Sequence, residues 1–112
     1  MLAKAQLRHL RITPRKVDYV VRPLRNRTVA EALGLLVAAK RGAAQPIRKL
    51  VLSAFANARA QHPTLREEEV VISKAIANQG PTWKRFRAAA FGRAARILKR
   101  TTHVTLELER KA

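Results

Sequence analysis

Cysteine is absent from the 112-residue chain. That excludes disulfides and thiolate metal sites, and it is compatible with a reducing compartment. Acidic residues are scarce: seven Asp or Glu stand against 24 Lys or Arg, giving a formal net charge of +17 and a pI near 11.9. A surplus of that size destabilises a compact state by self-repulsion unless a polyanion compensates it. Nucleic acid leads as the partner on that ground, with an anionic membrane surface as runner-up. Long apolar runs are missing too; none approaches the roughly 20 residues that span a bilayer. The N-terminal Met1-Leu2-Ala3-Lys4 lacks the cationic-then-apolar layout of a secretory signal, so a cytoplasmic, soluble protein is expected. No glycine-rich phosphate loop, nucleophile–base pair or carboxylate pair occurs, which argues against an enzyme. His9, His62 and His103 are scattered without ligand spacing, so neither a metal site nor a cofactor is expected.

What is present is enough for a fold. Hydrophobic residues make up 47% of the chain, normal for a core, although much of that share is alanine and the core should be modest. The length suits one domain, or a small domain plus an appendage. Ala3 to Leu7 alternates as a strand does, and the phase slips after Leu7, as at a bulge or a strand end. Arg8 and Arg11 lie in this tract, facing outward if it is extended. Thr13-Pro14 starts a helix whose pattern of Val17, Val20, Val21 and Leu24 has the spacing of one buried face, and which ends near Val21, before Pro23. Thr28-Val29-Ala30-Glu31 is a capping box. It opens a second helix with Val29, Leu33, Leu36 and Val37 as its apolar face and Gly42, after Lys40-Arg41, as its stop. A third helix starts near Pro46, and Ile47, Leu50, Val51, Ala54, Phe55 and Ala58 share one face of it. Glu67-Glu68-Glu69 reads as a solvated turn in preference to a patch paired with a basic face. Val70–Ala77 and His103–Glu109 read as strands, the latter cleanly alternating. Helices grouped between strands predict an α+β layer with helices against an antiparallel sheet.

Most of the chemistry lies between Gly80 and Thr102. Seven cations fall there (Lys84, Arg85, Arg87, Arg93, Arg96, Lys99 and Arg100), with three of the five aromatics, Trp83, Phe86 and Phe91. No Asp or Glu occurs from Val70 to Leu106. A cationic run with interleaved aromatics is suited to phosphates and to stacking on bases. Arg15 and Lys16, in the first turn of a helix, add a second place for phosphate. Two shapes fit the basic segment. As a helix it lines up Trp83, Phe86, Ala90, Ala94 and Ile97, and puts Arg93, Arg96 and Arg100 on another face. As a hairpin it turns near Ala89 to Gly92 and forms a continuous ribbon with the flanking strands, its arms roughly 30 Å long at 3.3 Å per residue. Local pattern slightly favours the helix, because alanine does.

Several fragments together resemble one family over essentially the whole chain. They are Ile12-Thr13-Pro14-Arg15-Lys16-Val17, Ser53-Ala54-Phe55-Ala56-Asn57-Ala58, Gly80-Pro81-Thr82-Trp83-Lys84-Arg85, Gly92-Arg93-Ala94 and Ile97-Leu98-Lys99-Arg100-Thr101-Thr102-His103-Val104-Thr105. In this order and spacing they are similar to the large-subunit ribosomal protein family numbered twenty-two. The resemblance implies three helices packed on a small antiparallel sheet with a long protruding β-hairpin, and it overrides the local preference for a helix. It implies a globular rRNA-binding domain over residues 1–79 and 102–112 and a basic hairpin over 80–101. It further implies a structural role in the large subunit near the polypeptide exit: binding of 23S-type rRNA, support of subunit assembly, and contact with neighbouring large-subunit proteins. By the same resemblance the hairpin tip, Arg87, Ala88, Ala89, Ala90, Phe91, Gly92 and Arg93, lines the tunnel, meets the nascent polypeptide and lies near where macrolides act.

The expected rRNA-binding residues are therefore Arg8, Arg11, Arg15, Lys16, Lys84, Arg85, Arg87, Arg93, Arg96, Lys99 and Arg100. The sequence departs from the family pattern at four places. Ala88-Ala89-Ala90 replaces the usual Pro-Arg-Ala, Gln79 replaces an acid, Asp18 stands where a base is common, and Pro23 falls in the first helix. Two rivals belong to other classes. A free-standing DNA-binding module would use 13–36 as a helix pair, but it lacks the Asn/Gln/Arg cluster of a recognition helix. A cationic membrane-surface protein would have to bury a face made mostly of alanine.

Overall fold

The computed structural model describes residues 2–80, 83–88 and 94–111, and only the backbone of residues 83–88 and 94–99. In chain order the elements are β1 (Ala3–Leu10), α1 (Pro14–Val21), α2 (Val29–Ala38), α3 (Ala44–Gln61), β2 (Val70–Gln79), β3 (Trp83–Ala88), β4 (Ala94–Lys99) and β5 (Thr102–Arg110). The class is α+β, as expected. β5 is the middle strand of an antiparallel sheet ordered β1-β5-β2.

The clean alternation of β5 is what organises the core. Val104, Leu106 and Leu108 are fully buried, and the register gives each an apolar neighbour on both sides. Leu108 lies between Ala3 and Ile72, Leu106 between Ala5 and Ala75, and Val104 between Leu7 and Ala77. Over these rows α1 packs on β2, α3 crosses β1 and β5, and α2 lies on α3. All six residues expected on the apolar face of α3 are buried. On the alternate β5 row, Glu107 has Lys4 opposite it on β1 and Lys74 on β2, a favourable cross-strand charge arrangement. The phase slip read in the first strand is a real register shift between Leu7 and Leu10, with His9 at a left-handed φ of 59°. A second shift, between Ile72 and Lys74, lets the Ser73 hydroxyl donate to the Glu107 carbonyl at 3.2 Å.

The helix ends show where local signals hold. Thr28 accepts from the Glu31 amide at 3.2 Å. The Glu31 carboxylate, however, does not close the capping box; it meets the Thr28 hydroxyl at 3.2 Å and the Arg27 guanidinium at 3.4 Å. The chain there is bridged to Val71, so its backbone already has a partner strand. Thr13 makes no side-chain cap; α1 starts on Pro14, whose fixed φ suits the first helical position. After α1, Pro23 sits in a 3-10 turn over Arg22–Leu24. The stop expected at Gly42 is wrong. α2 ends at Ala38 because Ala39 turns extended, and Lys40 and Arg41 lie in the following loop, not in the last turn. Val37, expected inside, is 70% exposed; Ala32 takes its place beside Val29 and Leu36.

The basic segment is strand where it is described, which overturns the local preference for a helix. β3 pairs antiparallel with β4 from Trp83↔Lys99 to Ala88↔Ala94. The expectation of a continuous ribbon meets a break. The β2–β5 ladder closes at Gln79↔Thr102, and the β3–β4 ladder runs one residue out of step with it. The hairpin tip expected at Ala89, Ala90, Phe91, Gly92 and Arg93 lies outside the described residues.

Leu106→Ala should lower unfolding free energy by about 2–5 kcal/mol, as large-to-small changes at fully buried sites do. Thr28→Ala should cost about 1 kcal/mol through loss of the cap. Chemical denaturation measures both, and a Leu106→Ala loss no larger than that of Thr28→Ala would contradict the central place given to β5.

Candidate nucleic-acid interface

Cations in this fold are far too many for the acids to pair. Among the described residues three ion pairs form, all local: Asp18 with Arg22, Glu31 with Arg27, and Glu69 with Arg66. Each involves exposed arginine, so each contributes little to stability, about 0–1 kcal/mol. Glu69 thus has a basic partner beside its own 3-10 turn (Glu67–Glu69), where the sequence suggests a merely solvated turn. Asp18, the unusual acid of α1, is used up by Arg22 four residues on.

Of the expected rRNA-binding residues, Arg8 lies on β1, Arg11 just after it, Arg15 and Lys16 in the first turn of α1, and Arg100 between β4 and β5; all five are exposed or nearly so. Lys84, Arg85 and Arg87 fall on β3, and Arg96 and Lys99 on β4. The register between these strands sets every one of those five cations opposite an uncharged residue: Lys84 with Leu98, Arg85 with Ile97, Arg87 with Ala95, Arg96 with Phe86, and Lys99 with Trp83. Like charges directly opposite would repel. This register avoids them without a single carboxylate.

The base of the β3–β4 pair is tightly made. The Gly80 amide donates to the Thr101 carbonyl at 2.9 Å, and the Thr102 hydroxyl donates to the Ile12 carbonyl at 2.6 Å. Thr101 and Thr102 are completely buried. The His9 amide donates to His103 Nδ1 at 3.1 Å, and the two rings meet edge to face, 4.8 Å apart. Scattered in the sequence, these two histidines are brought together by the fold across 94 residues of chain. The left-handed bulge at His9 accompanies the contact, and no local pattern announces it. No group of three potential metal ligands forms among the described residues. Gly80 is needed here because a Cβ would stand 2.6 Å from Thr101 Oγ1 and 3.0 Å from the His103 ring.

A model of the family described as ribosomal protein L22p/L17e matches residues 5–109. The chain belongs to that family. The chain is also similar to proteins named large ribosomal subunit protein uL22. One is from Bifidobacterium longum (strain DJO10A), 44% identical over 99% of this chain and 97% of the relative. Another, from Oceanobacillus iheyensis, is 44% identical with the same coverage of both chains. Within the L22p/L17e match fall β1 from Ala5, all three helices, the β3–β4 pair and β5 to Glu109. The buried threonines and the close approach at Gly80 thus belong to the matched region, as do all the expected cationic residues.

Gly80→Ala should destabilise the protein by about 1–3 kcal/mol, the usual range for overpacking a filled site. Gly42→Ala, where a Cβ meets nothing within 4 Å, should be neutral or stabilising by up to about 1 kcal/mol. Equal effects of the two substitutions in a denaturation experiment would contradict the close contact at the ribbon base.

Proposed function

We propose that this protein is a structural component of the large ribosomal subunit that binds large-subunit rRNA. In this reading residues 80–101 form an arm distinct from the globular body of 1–79 and 102–112. The arm runs along RNA, and its tip, 87–93, lines the polypeptide exit tunnel beside the nascent chain. The protein supports subunit assembly, touches neighbouring large-subunit proteins and resides in the cytoplasm on the ribosome.

One observation carries the reading: the β3–β4 register, which holds five cations opposite neutral residues in a stretch free of Asp and Glu. Such a ribbon is marginal by itself, and a phosphate scaffold on both sides would neutralise it. The molecular dimensions agree with an arm. The extents are 65 × 25 × 17 Å and the radius of gyration is 17.2 Å, against about 13 Å for a compact chain of this length. The relatives' name points to the same assembly. Among the described residues no helix is long and apolar enough to cross a membrane.

Phosphate neutralisation dominates binding of this kind through counterion release. With about eight cations engaged, log K for large-subunit rRNA should fall against log salt with a slope of about −6 to −7. A filter-binding or anisotropy titration from low to physiological salt measures it. Affinity indifferent to salt, or retention on anionic vesicles with none on rRNA, would sink the proposal. Deleting 83–98 should leave the helical circular dichroism of the body intact and rRNA binding weaker but present. Collapse of the helical signal would refute the division into body and arm.

A further inference from the structure

The loop that connects α2 to α3 does something the sequence does not foretell. It carries Lys40 and Arg41 over to the first turn of α1, where they meet Lys16 around a pocket of about 410 Å³ lined also by Ile12, Gly42 and Ala43. That size falls within the roughly 300–1,000 Å³ of pockets that hold small ligands. None of the three cations makes an ion pair among the described residues. The nearby carboxylate of Asp18 is taken by Arg22.

Arg41 is also placed, not merely tethered. Its guanidinium lies over the ring of Tyr19, 5.2 Å from the centroid, a cation–π contact that fixes the charge at the pocket mouth. Tyr19 is 58% exposed, the only large aromatic side chain exposed among the described residues. Arg15, Asp18 and Arg22 join it around a second, smaller hollow of about 150 Å³. The ring is thus both exposed and surrounded by cations, and a base can stack on the part of it that Arg41 leaves uncovered.

We infer that Lys16, Lys40 and Arg41 hold the consecutive phosphates that flank an unpaired RNA nucleotide whose base stacks on Tyr19. The site would be a second RNA contact, on the globular body and separate from the ribbon. Three unpaired cations around a hollow ask for an anion of more than one charge or for consecutive phosphates. An exposed tyrosine asks for a planar ring, and splayed bases of single strands and loops supply one, whereas bases stacked inside a duplex do not. An acidic peptide would satisfy the cations but leave the tyrosine without a role. The position also fits the proposed RNA path. Ile12, at the pocket wall, accepts the Thr102 hydroxyl at the base of the ribbon, and exposed Arg11 and Arg100 lie close to these two residues in the chain. The inference deepens the rRNA-binding role and rests on it.

The test uses the full chain and two fluorescein-labelled probes, a single-stranded oligouridylate and a fully paired RNA duplex of equal length, in anisotropy titrations over a salt series. Lys40→Ala with Arg41→Ala should reduce the steepness of the single-strand salt dependence by about 1.4, at 0.7 for each phosphate no longer neutralised. Tyr19→Leu should weaken single-strand binding by about five- to 150-fold at every salt concentration with no change of slope, the range expected of one stacked base. Tyr19→Phe should restore it, and neither ring substitution should alter duplex binding. Circular dichroism on each variant separates these effects from unfolding, which the exposure of the residues makes avoidable. A wild-type slope in the Lys40/Arg41 variant would overturn the inference. So would a Tyr19→Leu loss shared equally by duplex and single strand, or a Tyr19-independent site that takes poly-glutamate as well as RNA. A wild-type protein that binds neither RNA would overturn the rRNA-binding role itself, not the subsite alone.

Discussion

Charge repulsion is the constraint to which the rest of this structure answers. Seventeen surplus positive charges sit on 112 residues, and unit charges a few ångströms apart repel by about 1 kcal/mol even at the dielectric of water. The fold uses its few acids close to home. Asp18, Glu31 and Glu69 each take an arginine three or four residues away, and Glu107 lies in the sheet register between Lys4 and Lys74. The stretch from Val70 to Leu106 contains no acid of its own, and of its cations Lys74 has Glu107 opposite it. Along β3 and β4 the device left is spacing, and strand pairing provides it by giving each of their five cations a neutral partner.

The body makes this tolerable by being almost wholly apolar inside. Among the described residues its buried side chains other than hydrophobic ones are threonines, and two of them, Thr101 and Thr102, belong to the junction with the ribbon. No buried side-chain nitrogen or oxygen among the described residues is left without a partner. Each well-buried Val, Leu or Ile contributes roughly 1.5–3 kcal/mol, and the rows through Val104, Leu106 and Leu108 concentrate that gain on one strand. β5 therefore serves two purposes. Its middle holds the helices to the sheet, and its first residues anchor the chain that returns from β4. A change at Gly80 or Thr102 is felt by both.

Much of the body is legible in the sequence, because its signals are local. The faces of α1 and α3, the cap at Thr28, the alternation of the last strand and even the slip after Leu7 are patterns within a few residues, and the fold obeys them. What is not legible depends on distance. Val37 looks as apolar as Leu36, but only the position of α3 decides which of the two is covered. Lys40 and Arg41 look like charges complementing a helix end; they become part of a pocket because Ala39 leaves the helix early and the loop crosses to Tyr19. His9 and His103 meet through a bulge, although they stand 94 positions apart in the chain. For the candidate site, the residues named from charge alone lie at the surface where their side chains are described, whereas the Lys16–Lys40–Arg41 grouping needs the tertiary structure.

The basic segment shows how a local preference loses. Five alanines favour a helix, each by a few tenths of a kcal/mol over an average residue. A helix, however, would set Arg96 and Arg100 four residues apart and Arg93 and Arg96 three apart on one face, where like charges destabilise by amounts of the same size. It would also stand alone, with an apolar stripe made largely of alanine to bury. The strand pairing starts with an advantage no helix has. Its ends emerge from β2 and into β5, already held together by the Gly80–Thr101 hydrogen bond and the buried threonines, so loop closure costs little at the first pair. The junction therefore favours strand over helix in the segment it supports, and the charges of that segment are left on a two-stranded pair.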